Sequence, residues 1–444
     1  MMIFLESLGC CRNQVDSEVM LGRLGAAGHG IVHDPSLAEV IIVNTCGFIS
    51  AASSEAVDII LAMAEYKKEG KCKRLVVTGC MTERFKEDDL VSELPEVDAF
   101  LGTGACDRIV DVVEDGSGKT LTLFPDTCAR EMQGFPLPRI TTLDHLAHVK
   151  ISEGCNRHCT YCIIPQLRGI QRSRTVAEVV AEAETLVRQG VREIVLVGEN
   201  TSDYGVDLDT GCDLALLMTT LSKRIASVAP EVWIRLLYTH PSSLSKEMIQ
   251  AVATLDNVCT YFDVPIQHAS SRMLRLMGRN YNREDLYDLF AFIRKCDPNA
   301  ALRTTLITGF PGETEADFQE LLDFVKEIRF DQLGVFAYSD ADDLKSHSLK
   351  DHVPEETGEI RRDTIMAAQA LISEEINEKY LDQTVTVLIE ENPDEGIYLS
   401  RAEFQAPEVD GFTFVYGSGL EIGTFVRVKI NDTHEYDLSG EIAE

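Results

Sequence analysis

Over residues 2–109, short apolar runs alternate with longer segments of helical period. FLES, VIIVN and RLVVTG have the length and branching of strands, while VDSEVMLGRL and SSEAVDIILAMAEY have the length of helices. That alternation predicts a parallel α/β layer, because a parallel strand needs a crossover to return to its neighbour's side. After a DGSG turn, the proline-bearing stretch TLFPDTCAREMQGFPLPRITT reads as a linker. Alternation resumes in HVKIS, EIVLV, VWIRLLY, TYFDVPI, ALRTTLI and LGVFAY, with helices between them. Two of these helices show apolar residues at i, i+3, i+4 and i+7: Leu286, Leu289, Phe290 and Ile293, then Phe318, Leu321, Leu322 and Val325. Six such units are too few for an eight-fold barrel and predict a partial (β/α)6 barrel, with functional groups at the strands' carboxyl ends.

A helix starting near Pro354, with Ile365, Ala368, Ile372 and Ile376 along one stripe, leads into TVTVLIE, GIYLSRAEF, FTFVYG and TFVRVKI. These runs predict a small β-barrel of the OB type. The fold class expected is therefore α/β, in three parts: residues 1–125, 141–374 and 375–444.

Composition narrows the setting. Hydrophobic residues make up 45% and charged residues 26%, as in a folded domain, and no apolar run reaches the length of a bilayer. The opening MMIFLESLGC meets Glu6 early and lacks a basic n-region, so a cytoplasmic protein without membrane contact is expected. The net charge of −32 disfavours a broad phosphate-binding surface and suits a basic protein partner, although solubility alone also accounts for it. Residues 374–444 carry 4 basic and 17 acidic side chains, the wrong sign for a nucleic-acid barrel.

The chain has 13 cysteines, and a reducing compartment turns clustered ones toward metal or redox roles. Cys10, Cys46 and Cys80 each follow a predicted strand, so they share one edge of the first sheet; three separately buried thiols would have the same spacing. Cys155, Cys159 and Cys162 converge in a single loop. A closed zinc site wants a fourth ligand, and His158 lies too near in the loop to complete it comfortably. A four-iron cluster on three cysteines instead leaves one iron open to an outside ligand.

SEGCNRHCTYCIIPQLRG, with Tyr161 just before the last cysteine, resembles the radical S-adenosylmethionine (SAM) superfamily. The resemblance implies that SAM chelates the open iron and is cleaved to a carbon radical. It also implies contact between SAM's amino group and Gly198, Glu199 and Asn200 of LVGENTSDYG. Gly309 and Gly312 of LITGFPGET are further candidate SAM contacts, or else a plain turn before the capping box Thr314-x-x-Asp317. Arg168, Arg172 and Arg174 of RGIQRSR either hold a carboxylate of SAM or of substrate by bidentate pairing or form a solvated helix start, the commoner case.

Taken with SLGCCRNQVDSE, NTCGFI, VTGCM, WIRLLYTHP and TGFPGET, the whole chain resembles the methylthiotransferase family. That resemblance implies two 4Fe-4S clusters, with Cys155, Cys159 and Cys162 holding the radical-generating one and Cys10, Cys46 and Cys80 an auxiliary one that presents sulfur. It assigns no catalytic side chain beyond these ligands, and requires an electron donor of unknown identity. Two branches of the family differ in substrate: a tRNA adenosine beside the anticodon, or an aspartate of the basic twelfth protein of the small ribosomal subunit. The SLGC opening, DVPIQHASSRMLRLMGR, SRAEFQAPEVDG and the acidic tail favour the ribosomal protein, with tRNA as the alternative. A non-catalytic electron carrier or redox sensor is the reading from another class. Cys11 falls at a variable position and reads as a bystander. Cys72, Cys106, Cys128, Cys212, Cys259 and Cys296 read as packing residues.

Overall fold

The computed structural model describes residues 1–128, 138–209 and 211–443, so the linker stretch lies partly outside the described residues. The first layer is a six-stranded parallel sheet in the order Gly30–Ile31, Met2–Ser7, Val40–Thr45, Arg74–Gly79, Ala99–Leu101, Leu121–Leu123. Val40–Thr45, read from its unbroken apolar run, is buried along its whole length, as a central parallel strand should be. Helix Cys11–Ala26 covers one face through Met20 and Leu24, and helix Ser50–Ala64 covers the other through Ala56 and Ile60.

The central part contains the six expected strands in two parallel triplets. Leu146–Lys150, Glu193–Val197 and Trp233–Leu236 form one, and Tyr261–Asp263, Ala301–Thr308 and Gln332–Ala337 the other. A bridge between Ile234 and Val258 joins them into an open partial barrel. Its outer face packs on helices such as Glu315–Ile328, where Phe318, Leu321, Leu322 and Val325 are buried as their spacing required. Capping boxes fix the starts of Val176–Arg188 and Glu315–Ile328.

The tail is a closed five-stranded barrel that packs against the amino-terminal ends of the central strands. Its last strand, Leu438–Ile442, was not read from the sequence, because LSGEI has neither alternation nor β-branching beyond its final residue. The segment after Ala402 plugs the partial barrel from below. Ala406 packs with Leu146, Val195, Tyr261 and Ala301 on the strands' inner face. Tyr261 donates a 2.6 Å hydrogen bond to Asp410, which also lies 3.4 Å from Arg303.

Candidate functional site

The first three cysteines are positioned by the sheet. Cys10 caps helix Cys11–Ala26 after the first strand, Cys46 follows Val40–Thr45, and Cys80 opens the helix after Arg74–Gly79. Two left-handed glycines make the edge tight. Gly9 (φ +105°) and Gly79 (φ +106°) take conformations that other residues avoid, and a Cβ on Gly9 would come within 2.9 Å of Cys46 Cβ. The second three sit on the loop after Leu146–Lys150. Backbone bonds from Cys155 to Gly169 O (3.1 Å) and from Thr160 to Met277 O (3.0 Å) hold that loop against its surroundings.

All six cysteines line one cavity of about 760 Å³ between the sheet edge and the carboxyl ends of the central strands. His158 is exposed and does not line it, so the loop offers no fourth zinc ligand from that side chain. Among the described residues no three His, Cys, Asp or Glu side chains close around a single ion. A four-iron cluster needs a different arrangement, one thiolate to each of several separated irons.

The cavity wall carries four guanidinium groups, Arg12, Arg157, Arg168 and Arg279, and one carboxylate, Glu199; Asp203 pairs with Arg157 (2.7 Å), and Asp16 and Glu153 pair with Arg168 from behind the wall. Although burial raises the Cys10 thiol, Arg12 and Arg168 outweigh it and hold the group below its ordinary value. Burial pushes Cys80 and Cys155 up to about 11 and Cys162 up to about 12, so these remain thiols unless a bound cation shares the charge. His240, buried beside Arg279 and Arg157, is driven down to about 2 and stays neutral.

Glu199 is the least satisfied group in the cavity wall. Its side chain is 2% exposed, neither carboxylate oxygen has a hydrogen-bond partner, and the nearest cation, Arg12 Nε, is 3.7 Å away. Burial raises its carboxyl above the ordinary value. A buried carboxylate aimed into a cavity without a hydrogen bond fits a ligand that brings a cationic donor, as the amino group of SAM would. The donor set, six thiols beside four guanidinium groups, likewise fits thiolate-bound clusters, whose net charge is negative.

The other candidate SAM contacts divide. Asn200 lines the cavity, but its amide is engaged with Asp203 (2.7 Å) and Ser202 (2.8 Å). Gly198 contributes a carbonyl that accepts from Arg12 (3.0 Å) and does not line the cavity. Gly309 and Gly312, both at positive φ, lie outside it as well. They form the turn that delivers Glu313 and the capping box of Glu315–Ile328, the structural role that their sequence context allowed.

The arginine knot is not a solvated helix start. Arg168 and Arg174 are buried; Arg168 pairs with Asp16 (2.6 Å) and Glu153 (2.7 Å), and Arg174 with Glu182. Arg168 also reaches Asn13 and lies 3.7 Å from Cys80 Sγ. Cys11 points the other way, into the apolar cluster inside the partial barrel, with its sulfur 3.5 Å from the Tyr238 hydroxyl. Cys72, Cys106 and Cys259 are buried as packing residues, Cys212 and Cys296 are half-buried, and Cys128 is exposed.

Sequence reasoning missed Arg12, Tyr238 and Arg279. Arg12 stacks on the Tyr238 ring at 4.6 Å, and Tyr238 holds φ +61°, strained for a tyrosine, with its N–H on Asp263 (2.8 Å). Arg279 donates to the Tyr161 hydroxyl (3.0 Å). Each stands in a stretch that carries the family resemblance, SLGCCRNQVDSE, WIRLLYTHP or DVPIQHASSRMLRLMGR, but nothing local shows that these three stretches meet.

Comparison with known proteins agrees with this architecture. The chain matches the family models described as the radical SAM superfamily (residues 149–325), the uncharacterized protein family UPF0004 (2–102) and the TRAM domain (383–443). Among solved structures, the radical SAM methyltransferase TsrM from Kitasatospora setae superposes with a TM-score of 0.55 at 15% identity, covering 75% of this chain and 72% of that one. The cobalamin-dependent SAM radical enzyme OxsB gives 0.54 at 14% identity, covering 84% and 56%. At these identities the likeness concerns the fold. The ribosomal protein uS12 methylthiotransferase RimO of Desulfosudis oleivorans is 48% identical over 99% of this chain and 100% of its own length. That of Clostridioides difficile is 44% identical over 99% and 98%. Identity of that extent, over a length that spans all three parts of the fold, means that the chain belongs to the RimO family of radical SAM methylthiotransferases.

Proposed function

We propose that this enzyme adds a methylthio group to the β-carbon of an aspartate in uS12, the twelfth protein of the small ribosomal subunit. Six cysteines around one arginine-lined cavity, three from each of two domains, are the observation that carries the reading. Cys155, Cys159 and Cys162 would hold the radical-generating cluster, and Cys10, Cys46 and Cys80 the auxiliary one. Residues 1–125, 141–374 and 375–444 would act as the auxiliary-cluster, radical and substrate-recruiting domains.

When bound, the two clusters and SAM supply a radical able to break an unactivated C–H bond, together with the sulfur and the methyl group, a chemistry no side-chain base provides. The protein positions and screens. Glu199 would take the ammonium of SAM, and the cavity arginines would hold carboxylates, either SAM's or the substrate aspartate's. Phe48, Ile49 and Phe336 are exposed apolar residues of the lining, placed to cover a bound segment and exclude water. An electron donor must deliver the reducing electron. The tRNA alternative is not favoured, since the full-length relatives carry the uS12 name and the barrel is acidic. The test is anaerobic: load the chain with iron and sulfide, reduce it, add SAM with uS12 or with tRNA, and follow 5′-deoxyadenosine and product mass. A methylthio addition on a uS12 aspartate is expected; modification of tRNA alone would overturn the assignment.

A further inference from the structure

A second cleft, of about 690 Å³, lies where the small barrel meets the central domain. Its central-domain wall comes from residues that precede strands: Trp233 opens Trp233–Leu236, Thr260 precedes Tyr261–Asp263, and Asn299 precedes Ala301–Thr308. The cysteine cavity takes Cys155, Glu199 and Tyr238 from beyond the opposite ends of the strands. The two openings therefore lie on opposite faces of the partial barrel.

The lining is of one chemical kind. Trp233 and Phe425 meet with ring centroids 4.7 Å apart, and Tyr380 stacks on Phe404 at 4.1 Å with their planes 9° apart. All four rings are half-buried and so keep part of their surface open. Beside them stand Asp256, Asp297 and Glu403, and among the described residues no cationic side chain is ion-paired with any of the three. The cleft's own lysine, Lys379, is turned toward Asp331 (3.4 Å) over the Tyr380 ring (4.7 Å), and Glu231 at the rim is held by Arg192 (3.3 Å). Glu403 itself is exposed, and its main-chain carbonyl accepts a 2.8 Å hydrogen bond from the buried Arg235.

Aromatic faces beside uncompensated carboxylates attract a planar cation, through the ring quadrupole on one side and charge-assisted hydrogen bonds on the other. A phosphate backbone would meet the wrong sign. We propose that this cleft is a docking site, separate from the reaction cavity, for an arginine-bearing segment of a basic polypeptide. That this polypeptide is the enzyme's own protein substrate, held at a point remote from the modified residue, rests on the uS12 reading above; the preference for an arginine side chain does not.

Trp233 is the chain's single tryptophan, so its emission reports on this cleft alone. The experiment titrates the full-length, cluster-loaded enzyme with a hexa-arginine peptide and follows Trp233 emission. A saturable change is expected. The double variant Asp256→Asn/Glu403→Gln, checked for native circular dichroism, should bind about tenfold more weakly or worse, since two charge-assisted contacts are lost. Its SAM cleavage with a short peptide carrying only the modified loop should be unchanged. Unaltered emission at saturating peptide, or equal affinity in the folded double variant, overturns the proposal. So does a response to a single-stranded RNA oligomer and not to the peptide. Failure of the short-peptide reaction in the unmutated enzyme, with hexa-arginine binding intact, would instead strike the substrate assignment and leave the cleft standing.

Discussion

Glu193 and Arg401 lie 208 residues apart and meet at 2.6 Å with neither side chain exposed to solvent. Arg235 holds the other Glu193 oxygen at 2.6 Å, and Glu390 takes the far side of Arg401. The central sheet and the small barrel are thus joined through a buried charge network as well as through the plug around Ala406. Burial alone would raise the Glu193 carboxyl, but Arg401 and Arg235 outweigh it and bring it from 4.5 down to about 2. Its contribution is fully present above 4.5 and drains as pH falls toward about 2, a difference of roughly 3 kcal/mol. Acid unfolding followed by Trp233 emission should show this loss, and Glu193→Gln should flatten the profile between those values. Arg401→Met alone should cost about 3–5 kcal/mol by leaving Glu193 short of a partner in the interior.

Arg168 links the two halves of the cavity. It follows the loop that bears Cys155, Cys159 and Cys162, on helix Ile164–Arg168, and ends 3.7 Å from Cys80 Sγ, fixed there by Asp16 and Glu153. Outer partners of metal ligands typically matter 10- to 100-fold, which sets the size expected of Arg168→Met on auxiliary-cluster retention, roughly that range. Electron paramagnetic resonance of the loaded, reduced protein should lose the auxiliary signal while keeping the other. Arg168→Lys should keep the charge and recover part of it. Equal loss of both signals would show that Arg168 supports the fold rather than one cluster.

Glu199 makes a prediction with opposite signs in two assays. Its carboxylate is buried without a hydrogen bond, and burial raises its carboxyl, so charge at this position costs stability in the unliganded protein near neutral pH. Glu199→Gln should therefore raise the melting temperature of the unliganded chain by about 1–2 °C, for about 1 kcal/mol. The same change removes the partner proposed for the SAM ammonium, worth about 1.5–3 kcal/mol, and should weaken SAM binding by roughly 10- to 100-fold in equilibrium dialysis. A variant that loses stability, or binds SAM normally, would remove Glu199 from that role.

Most strands were legible because parallel strands buried on both sides are continuous apolar runs, as in VIIVN and EIVLV. The short strands Gly30–Ile31, at one edge of the sheet, and Ala99–Leu101, inside it, were not, having too few residues to show a period. The cysteines were readable from chain position alone: each of Cys10, Cys46 and Cys80 follows a strand of the same parallel sheet, which brings them to one edge. Gly309 and Gly312 show the limit of that reasoning. They too follow a strand, yet they serve the turn, and local sequence gave both outcomes equal standing. Arg12 and Arg168 were illegible for another reason. A charged side chain in a hydrophilic stretch looks solvated unless its partners, here Glu199 and Asp16, are known to fold over it.

The two sets of cysteines should separate by function when removed as sets. Cys10, Cys46 and Cys80 come from the first sheet, and Cys155, Cys159 and Cys162 from one loop of the central domain, so each set can be lost without dismantling the elements that carry the other. Replacing the first set by alanine should leave SAM cleavage in place and abolish sulfur transfer, with iron content falling by about half if each set holds one four-iron cluster. Replacing the second should abolish SAM cleavage while the auxiliary cluster's absorbance remains. Cys11→Ala provides the control for the adjacent thiol. Its sulfur packs inside the partial barrel against Tyr238, outside the cavity, so both clusters should load normally at a cost of about 1 kcal/mol in stability. Loss of the auxiliary cluster in Cys11→Ala would mean that the two neighbouring thiols exchange places on loading, and that the division between Cys10 as ligand and Cys11 as packing residue is wrong.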